Sequence, residues 1–176
     1  FKKNSIIRNL FISNGVKKIG ENAFYQCPNL NSVVFEEPSI LNSIPDHCFF
    51  KCQSFTSIYI PSSCKCIGDF ALSECKSLRL VEFEKSNLEK IGISAFCNCT
   101  SLEKITIPSS VKELQSDAFK GCKSLTEVEF ELPCSLTILE TRTFEGCRDL
   151  THISIPSSIT KIGYCCLKKC RLSEIT

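Results

Sequence analysis

The stretch IPSSVKELQSDAFKGCKSL, residues 107–125, recurs in varied form along the whole chain and decides the fold. Its most regular mark is a cysteine that returns every 23 to 25 residues, with a small and a large apolar residue four and three positions before it. The seven marker cysteines are Cys27, Cys52, Cys75, Cys99, Cys122, Cys147 and Cys170. A period of this size is typical of a repeat protein in which each repeat packs on its neighbours.

A short strand is predicted after each marker cysteine. The segments share the pattern apolar-x-x-apolar-x-apolar, and the last two apolar positions face the same side because side chains alternate along a strand. The segments are residues 30–35, 55–60, 78–83, 102–107, 125–130 and 150–155, with 7–12 before them and a shorter piece at 172–176. We therefore predict a parallel sheet of about seven or eight short strands along one face.

The rest of each repeat predicts a short helical turn on the other face. Residues 19–30 read Ile-Gly-x-x-Ala-Phe-x-x-Cys-x-x-Leu, and the steps of four, four and three residues between apolar positions fit one or two turns of helix. One strand and one short helical turn per ~24 residues make a leucine-rich-repeat unit. The sequence thus predicts an α/β repeat solenoid of the leucine-rich-repeat type, right-handed, with residues 1–176 as one domain of about seven repeats.

A second regularity groups the repeats in pairs. Marker cysteines two repeats apart are always 47 or 48 residues apart, and the residue that ends each strand alternates between Ile and Phe. Strands ending in Ile lead into tight turns, which read Pro-Ser-Ser at 61–63, 108–110 and 156–158. Strands ending in Phe lead into acidic segments that contain Glu36, Glu37, Glu84 and Glu131. We predict that the structural unit is a pair of repeats, and that these carboxylates form a solvated rim or, alternatively, a site for a cation or a basic partner.

The run Ile-Pro-Ser-Ser-Val…Ala-Phe…Gly-Cys…Ser-Leu at 107–125 resembles the BspA-like leucine-rich-repeat family. The resemblance covers essentially the whole chain. Members of that family are surface proteins of bacteria and parasitic protozoa, described as adhesins that bind host matrix proteins such as fibronectin and fibrinogen. The resemblance therefore implies a cell-surface or extracellular protein that binds proteins, although the repeat motif itself contains no binding residue to carry over.

Length and composition narrow the possible classes of function. The 176 residues carry a net charge of +2, which gives neither a basic field for nucleic acid nor an acidic tail. No apolar run is long enough to span a membrane within this chain. The sequence starts without Met and stops within a strand pattern, so we expect it to be a piece of a longer protein, with Leu172 and Ile175 at an open apolar end. That end would meet further repeats or another molecule, including a second copy of the chain.

The fourteen cysteines are predicted to serve mainly in packing. Equivalent residues of stacked repeats lie ~5 Å apart, so the marker cysteines form a column of buried free thiols or, alternatively, disulfide staples. Cys48, Cys64 and Cys166 also fall at core positions. Four cysteines lie off the core pattern and are the candidates for disulfides, namely Cys66, Cys97, Cys134 and Cys165. The chain has no Cys-x-x-Cys and only two histidines, which argues against a zinc site.

Little in the sequence suggests catalysis or a cofactor. His152 and Ser154 lie two residues apart on one strand face, which fits an exposed polar pair better than a catalytic dyad. His47 stands beside Cys48, but Cys48 is expected to point into the core. Phosphate-binding glycine loops are absent from the sequence. We expect no enzyme and no cofactor.

A partner site is predicted on the outward side of the sheet, because solenoids present stacked strands as an extended binding surface. Phe11, Val34, Tyr59 and Leu80 form an apolar group over ~15 Å there. A charged group, Glu82, Lys104, Glu127 and Glu129, follows and would tune specificity. Alternatively, the apolar side chains stand there only because such residues suit strands anywhere, or a missing N-terminal segment covers them. The sequence thus favours protein–protein recognition, as a surface adhesin or alternatively as an intracellular scaffold in the cytoplasm.

Overall fold

The computed structural model describes residues 1–83 and 87–176. The described residues form fourteen strands, numbered in chain order: β1 Asn9–Ile12, β2 Ser32–Phe35, β3 Ser43–Ile44, β4 Ser57–Ile60, β5 Cys66–Ile67, β6 Leu80–Phe83, β7 Lys90–Ile91, β8 Lys104–Ile107, β9 Glu113–Leu114, β10 Glu127–Phe130, β11 Ile138–Leu139, β12 His152–Ile153, β13 Lys161–Ile162 and β14 Glu174–Ile175. All of their pairings are parallel. The predicted solenoid of about seven turns is therefore confirmed.

One strand of each repeat contributes to a long face that we call the main sheet. It consists of β1, β2, β4, β6, β8, β10, β12 and β14. Along each strand, buried and outward side chains alternate as the pattern predicts; Ile58 and Ile60 are buried on β4, for example, while Ser57 and Tyr59 face outward.

The predicted helical turns are wrong, because no helix occurs in the part of the chain that the structure describes. Ser94 and Asn98, four residues apart in one repeat, both have φ above +50°, a left-handed conformation that a right-handed helix cannot contain. Equivalent pairs recur in every repeat, for instance Asn22 with Gln26 and Asp117 with Gly121. The α/β description is therefore replaced by an all-β solenoid with turn segments.

The hydrogen bonds of the turn segments explain why a helix does not form. The backbone N–H groups of Ser94, Phe96 and Asn98 donate to carbonyls of the next repeat at 3.0, 2.8 and 2.7 Å. The N–H groups of the residues in between, Ala95 and Cys97, donate to carbonyls three residues earlier in the same repeat. Since every second N–H is directed to the neighbouring layer, the i to i−4 bonds of an α-helix are given up for bonds between layers.

A second column of two-residue strands, β3, β5, β7, β9, β11 and β13, lies beside the turn segments; we call it the short ladder. A glycine after three of these strands lets the layers stack closely. A Cβ at Gly92 would lie 2.7 Å from the carbonyl carbon of Gly68 and 2.8 Å from the nitrogen of Asp69. Gln115 occupies this position after β9, which nevertheless pairs with β7, and Glu140 occupies it after β11; in the described residues β9 and β11 are not paired. The short ladder is therefore interrupted there.

Strand pairing in the main sheet follows pairs of repeats. All four residues are in register between β1 and β2, β4 and β6, and β8 and β10. One residue pair joins β2 to β4, and among the described residues none joins β6 to β8 or β10 to β12. The main sheet is thus a series of well-paired two-strand units that separate at their junctions.

The acidic segments after every second strand have a structural role that the sequence did not reveal. The Glu36 carboxylate accepts a hydrogen bond from the backbone N–H of Asn14 at 3.0 Å, and the Glu131 carboxylate accepts one from that of Ser109 at 3.0 Å. Each carboxylate therefore holds the tight turn of the preceding repeat. Glu84, which was predicted to belong to the same acidic rim, lies outside the described residues.

The core is a stack of phenylalanines beside the column of marker cysteines. Phe96, Phe119 and Phe144 stack face to face, with ring centroids 5.1 and 5.7 Å apart. The Sγ of Cys122 donates to the carbonyl of Phe96 at 3.2 Å, and that of Cys99 donates to the carbonyl of Leu72 at 3.2 Å. The other marker cysteines make the same contact one repeat back. The thiols thus fill core space and satisfy a carbonyl in the layer before them.

All fourteen cysteines are free thiols in the structure. Burial raises the pKa of the Cys52 thiol to about 12 and that of Cys64 to about 11, and it raises the pKa values of Cys75 and Cys99 well above the ordinary value. As predicted, Cys48, Cys64 and Cys166 are buried at core positions. The four cysteines off the core pattern, Cys66, Cys97, Cys134 and Cys165, are half-buried.

Candidate functional site

The eight residues predicted for a partner site all lie on the outward side of the main sheet, which we call the sheet face. They are Phe11 on β1, Val34 on β2, Tyr59 on β4, Leu80 and Glu82 on β6, Lys104 on β8, and Glu127 and Glu129 on β10. Seven of them are exposed and Glu127 is half-buried. The positions follow the predicted outward columns, because parallel register places equivalent residues side by side.

The N-terminal half of the sheet face is apolar. Phe11 and Val34 are direct neighbours on β1 and β2 and are 64% and 53% exposed. Leu80 is 46% exposed two strands further along, and Tyr59 lies between them on β4. Contiguous exposed apolar side chains on an open sheet are typical of an interaction surface.

The C-terminal half of the sheet face is charged. Lys104 and Glu127 are register partners and form an ion pair, which lowers the pKa of the Glu127 carboxyl through their hydrogen bond and raises that of Lys104. Glu129 accepts a hydrogen bond from the hydroxyl of its register partner Thr106 at 3.1 Å. The Thr106 hydroxyl carries no charge, so the cation near the Glu129 carboxylate is Lys104 on β8.

A groove of about 920 Å³ opens in this charged half, where β10 and β12 are not paired. One wall carries Glu127, Glu129 and Glu131, and the other carries His152, Ser154 and Ser157. The half-buried side chains of Phe130 and Ile155 and the exposed Leu132 add apolar surface. The sequence did not predict this groove, because its cause is a break in pairing between two strands that each look regular.

The candidates for nucleophilic catalysis are not assembled into a reactive pair. The Nδ1 of His152 lies 3.9 Å from a carboxylate oxygen of Glu174, so its nearest charged partner is on β14. Cys48 points into the core as predicted, and burial raises the pKa of its thiol. The ring of His47 stacks on Phe70 with centroids 5.0 Å apart.

Neither a metal cluster nor a membrane-spanning helix is found in the part of the chain that the structure describes. No group of three or more His, Cys, Asp or Glu side chains within residues 1–83 and 87–176 is arranged to hold a metal ion. No helix among the same residues is long and apolar enough to cross a membrane.

The comparison with protein families gives one result over the whole chain. The family model described as "BspA type Leucine rich repeat region" matches residues 1–126 and 124–176, in six copies. A comparison with curated proteins yields no match.

Solved structures with the same architecture come from bacterial proteins. The leucine rich repeat protein TpLRR of T. pallidum has a TM-score of 0.81 and 30% identity, over 92% of this chain and 74% of that chain. The pneumococcal vaccine antigen PcpA has a TM-score of 0.72 and 25% identity, over 96% of this chain and 50% of that one. A leucine rich cell surface protein of Faecalibacterium prausnitzii has a TM-score of 0.51 and 24% identity, over 97% of this chain and 54% of that chain. The chain thus spans about three quarters of the treponemal protein and half of the pneumococcal one.

Proposed function

Because the chain belongs to the BspA type leucine rich repeat family, we propose that it is a non-catalytic protein-recognition module that binds through its sheet face. The observation that carries this proposal is the contiguous group of Phe11, Val34, Tyr59 and Leu80 on an otherwise open sheet. The charged residues Glu82, Lys104, Glu127 and Glu129 continue the same face and would select among partners by charge.

We further propose that the partner is a host or matrix protein and that the chain acts at the cell surface as an adhesin. The family resemblance supports this setting, since its members are described as surface proteins. The pneumococcal structural relative is a vaccine antigen, and the F. prausnitzii protein that shares the fold is described as a cell surface protein.

The thiols favour a second candidate function, an intracellular scaffold. All fourteen cysteines are free, and the marker cysteines donate hydrogen bonds as thiols. Reduced thiols persist in reducing compartments, whereas oxidising compartments favour disulfides. Counting reactive thiols before and after denaturation tests the setting: several disulfides favour the surface, whereas fourteen buried free thiols leave both settings open.

The test of the recognition face is a double substitution, Phe11→Ser with Tyr59→Ser. Both side chains are exposed, so the fold should persist, while binding to immobilised fibronectin, fibrinogen or fixed host cells should weaken at least tenfold. The matched control is Ile40→Ser with Ile93→Ser, which removes two apolar side chains that are 48% and 40% exposed away from the sheet face. If both variants are folded and bind equally well, the proposal is wrong.

A further inference from the structure

The groove between β10 and β12 lies at a local break in the main sheet, between two layers that stay joined through the paired strands β11 and β13. Ser63 and Ser110, equivalent residues of the Pro-Ser-Ser turns, donate hydrogen bonds to the carbonyls of Leu41 and Leu88 in the preceding repeat, both at 2.7 Å. The third equivalent, Ser158, follows β12, and its buried hydroxyl has no hydrogen-bond partner among the described residues. The missing hydrogen bond and the missing strand pairing occur at the same junction between layers.

The walls of the groove combine apolar surface with a surplus of negative charge. Glu127 and Glu129 occupy alternate positions on β10 and therefore point to the same side, and Glu131, just after the strand, also lines the groove. Lys104 forms an ion pair with Glu127 and also attracts Glu129, while Glu129 and Glu131 accept hydrogen bonds from a hydroxyl and a backbone N–H, which are neutral groups. One lysine therefore offsets part of the charge of three carboxylates. The opposite wall, with Ser154 and Ser157, adds no fixed charge.

We propose that this groove receives an arginine side chain from an extended segment of a partner protein whose apolar side chains lie on the N-terminal half of the sheet face. An arginine matches both features of the groove: its aliphatic stem can lie against Phe130 and Leu132, and its guanidinium can donate two hydrogen bonds to a carboxylate. The inference rests on the proposed function, because it names the partner chemistry of the same face.

The distance between the apolar and the charged half of the sheet face sets how many residues separate the apolar residue from the arginine in the partner segment. Leu80 and Glu129 lie two strand steps apart and are offset by two residues along the strands, because Leu80 begins β6 and Glu129 is the third residue of β10. With ~4.8 Å between strands and ~3.3 Å per residue, this separation is ~12 Å. An extended segment also advances ~3.3 Å per residue, so the arginine should follow or precede an apolar residue by three or four positions. This gives a definite peptide to test.

The experiment measures fluorescence anisotropy of the full chain with synthetic ten-residue peptides of alternating Thr and Val that contain one Phe. One peptide carries Arg three positions after the Phe, another carries it three positions before, and matched peptides carry Glu or Gln in place of Arg. We expect an Arg peptide to bind at least tenfold more tightly than its Glu counterpart. We also expect its affinity to fall as NaCl rises from ~50 to ~300 mM, because the attraction is between exposed charges.

The variant that tests the groove is Glu129→Lys, and Glu21→Lys is its matched control. Both substitutions change net charge equally at an exposed position, but Glu21 lies in the first repeat, outside the groove. The affinity for the Arg peptide should fall at least tenfold in Glu129→Lys and remain unchanged in Glu21→Lys.

Three outcomes overturn the inference: no saturable binding of either Arg peptide, equal binding of the Arg and Glu peptides, or equal effects of the two variants. The proposed function has a separate readout, the loss of binding to whole proteins in the Phe11→Ser and Tyr59→Ser variant. If the double variant loses binding to whole proteins but the Arg peptides do not bind, the recognition face is supported and only the arginine groove is refuted. If whole proteins also do not bind to the chain, both the recognition function and the arginine groove are refuted.

Discussion

At the scale of single residues, cysteine supplies two properties that the marker position needs. Its side chain is small and apolar enough to stack in a column, and its thiol donates to a carbonyl of the preceding layer, as Cys99 does to Leu72. Alanine would leave that carbonyl with one bond fewer and a space the size of a sulfur atom. We infer that the position selects cysteine for packing and hydrogen bonding together.

The same column predicts that stability falls at alkaline pH. Burial raises the thiol pKa to about 12 at Cys52 and about 11 at Cys64, whereas thiols of the unfolded chain ionise near pH 8.5 to 9. Above that value the unfolded state binds fewer protons than the folded state, so the free energy of unfolding decreases as pH rises. The slope is at most about 1.4 kcal/mol per pH unit for each deeply buried thiol.

The measurement is urea unfolding at pH 7.5, 8.5 and 9.5 in the presence of a reducing agent. The variant Cys99→Ala provides the comparison: it should be less stable at pH 7.5 by roughly 1–3 kcal/mol, but its stability should decline less steeply with pH because it has one buried thiol fewer. A pH-independent free energy of unfolding, or equal slopes in both proteins, would contradict the role assigned to the thiols.

At the scale of elements, close stacking of β7 on β5 depends on the absence of a side chain at Gly92. Gly92→Ala should lower stability by roughly 2–4 kcal/mol, because the new Cβ would lie within 3 Å of backbone atoms of Gly68 and Asp69, which cannot rotate away. Thermal and urea unfolding measure this change.

The control for that substitution is Gly20→Ala. No atom lies within 4 Å of a Cβ at Gly20, so this variant should stay within about 0.5 kcal/mol of the wild-type protein or gain slightly. Similar losses in the two variants would mean that the glycines act through backbone flexibility and that layer spacing does not depend on them.

At the scale of the whole molecule, the pair of repeats is the unit that the fold can gain or lose. Removal of residues 61–107 joins Ile60 to Pro108, restores the Ile-Pro-Ser-Ser sequence and brings β4 beside β10 in the same order as β4 and β6. Removal of residues 108–130 joins Ile107 to Glu131 and brings β8 beside β12, two strands of the same kind.

We predict that the 47-residue deletion unfolds in one cooperative transition and that the 23-residue deletion melts at least roughly 5 °C lower, although it removes less of the protein. The reason is that the shorter deletion destroys the fully paired junction of β8 and β10. Thermal unfolding followed by circular dichroism makes the comparison. Equal or higher stability of the 23-residue deletion would show that single repeats are interchangeable.

The sequence by itself determined which residues are buried, which face outward and how often the pattern returns. These properties follow from side-chain alternation along a strand, which is local, so Phe11, Val34 and Tyr59 could be placed on the sheet face from spacing alone. The same reasoning failed for the turn segments, because apolar steps of four, four and three residues fit either a helix or a chain of tight turns.

Only the tertiary structure decided between those two conformations and located the groove. The left-handed residues Ser94 and Asn98 are stabilised by hydrogen bonds to the next repeat, which exist only once the layers are stacked. The gap between β10 and β12 likewise depends on how two layers meet, since each strand alone has the regular pattern. Contacts between layers are a property of the stack, and a single repeat of sequence does not contain them.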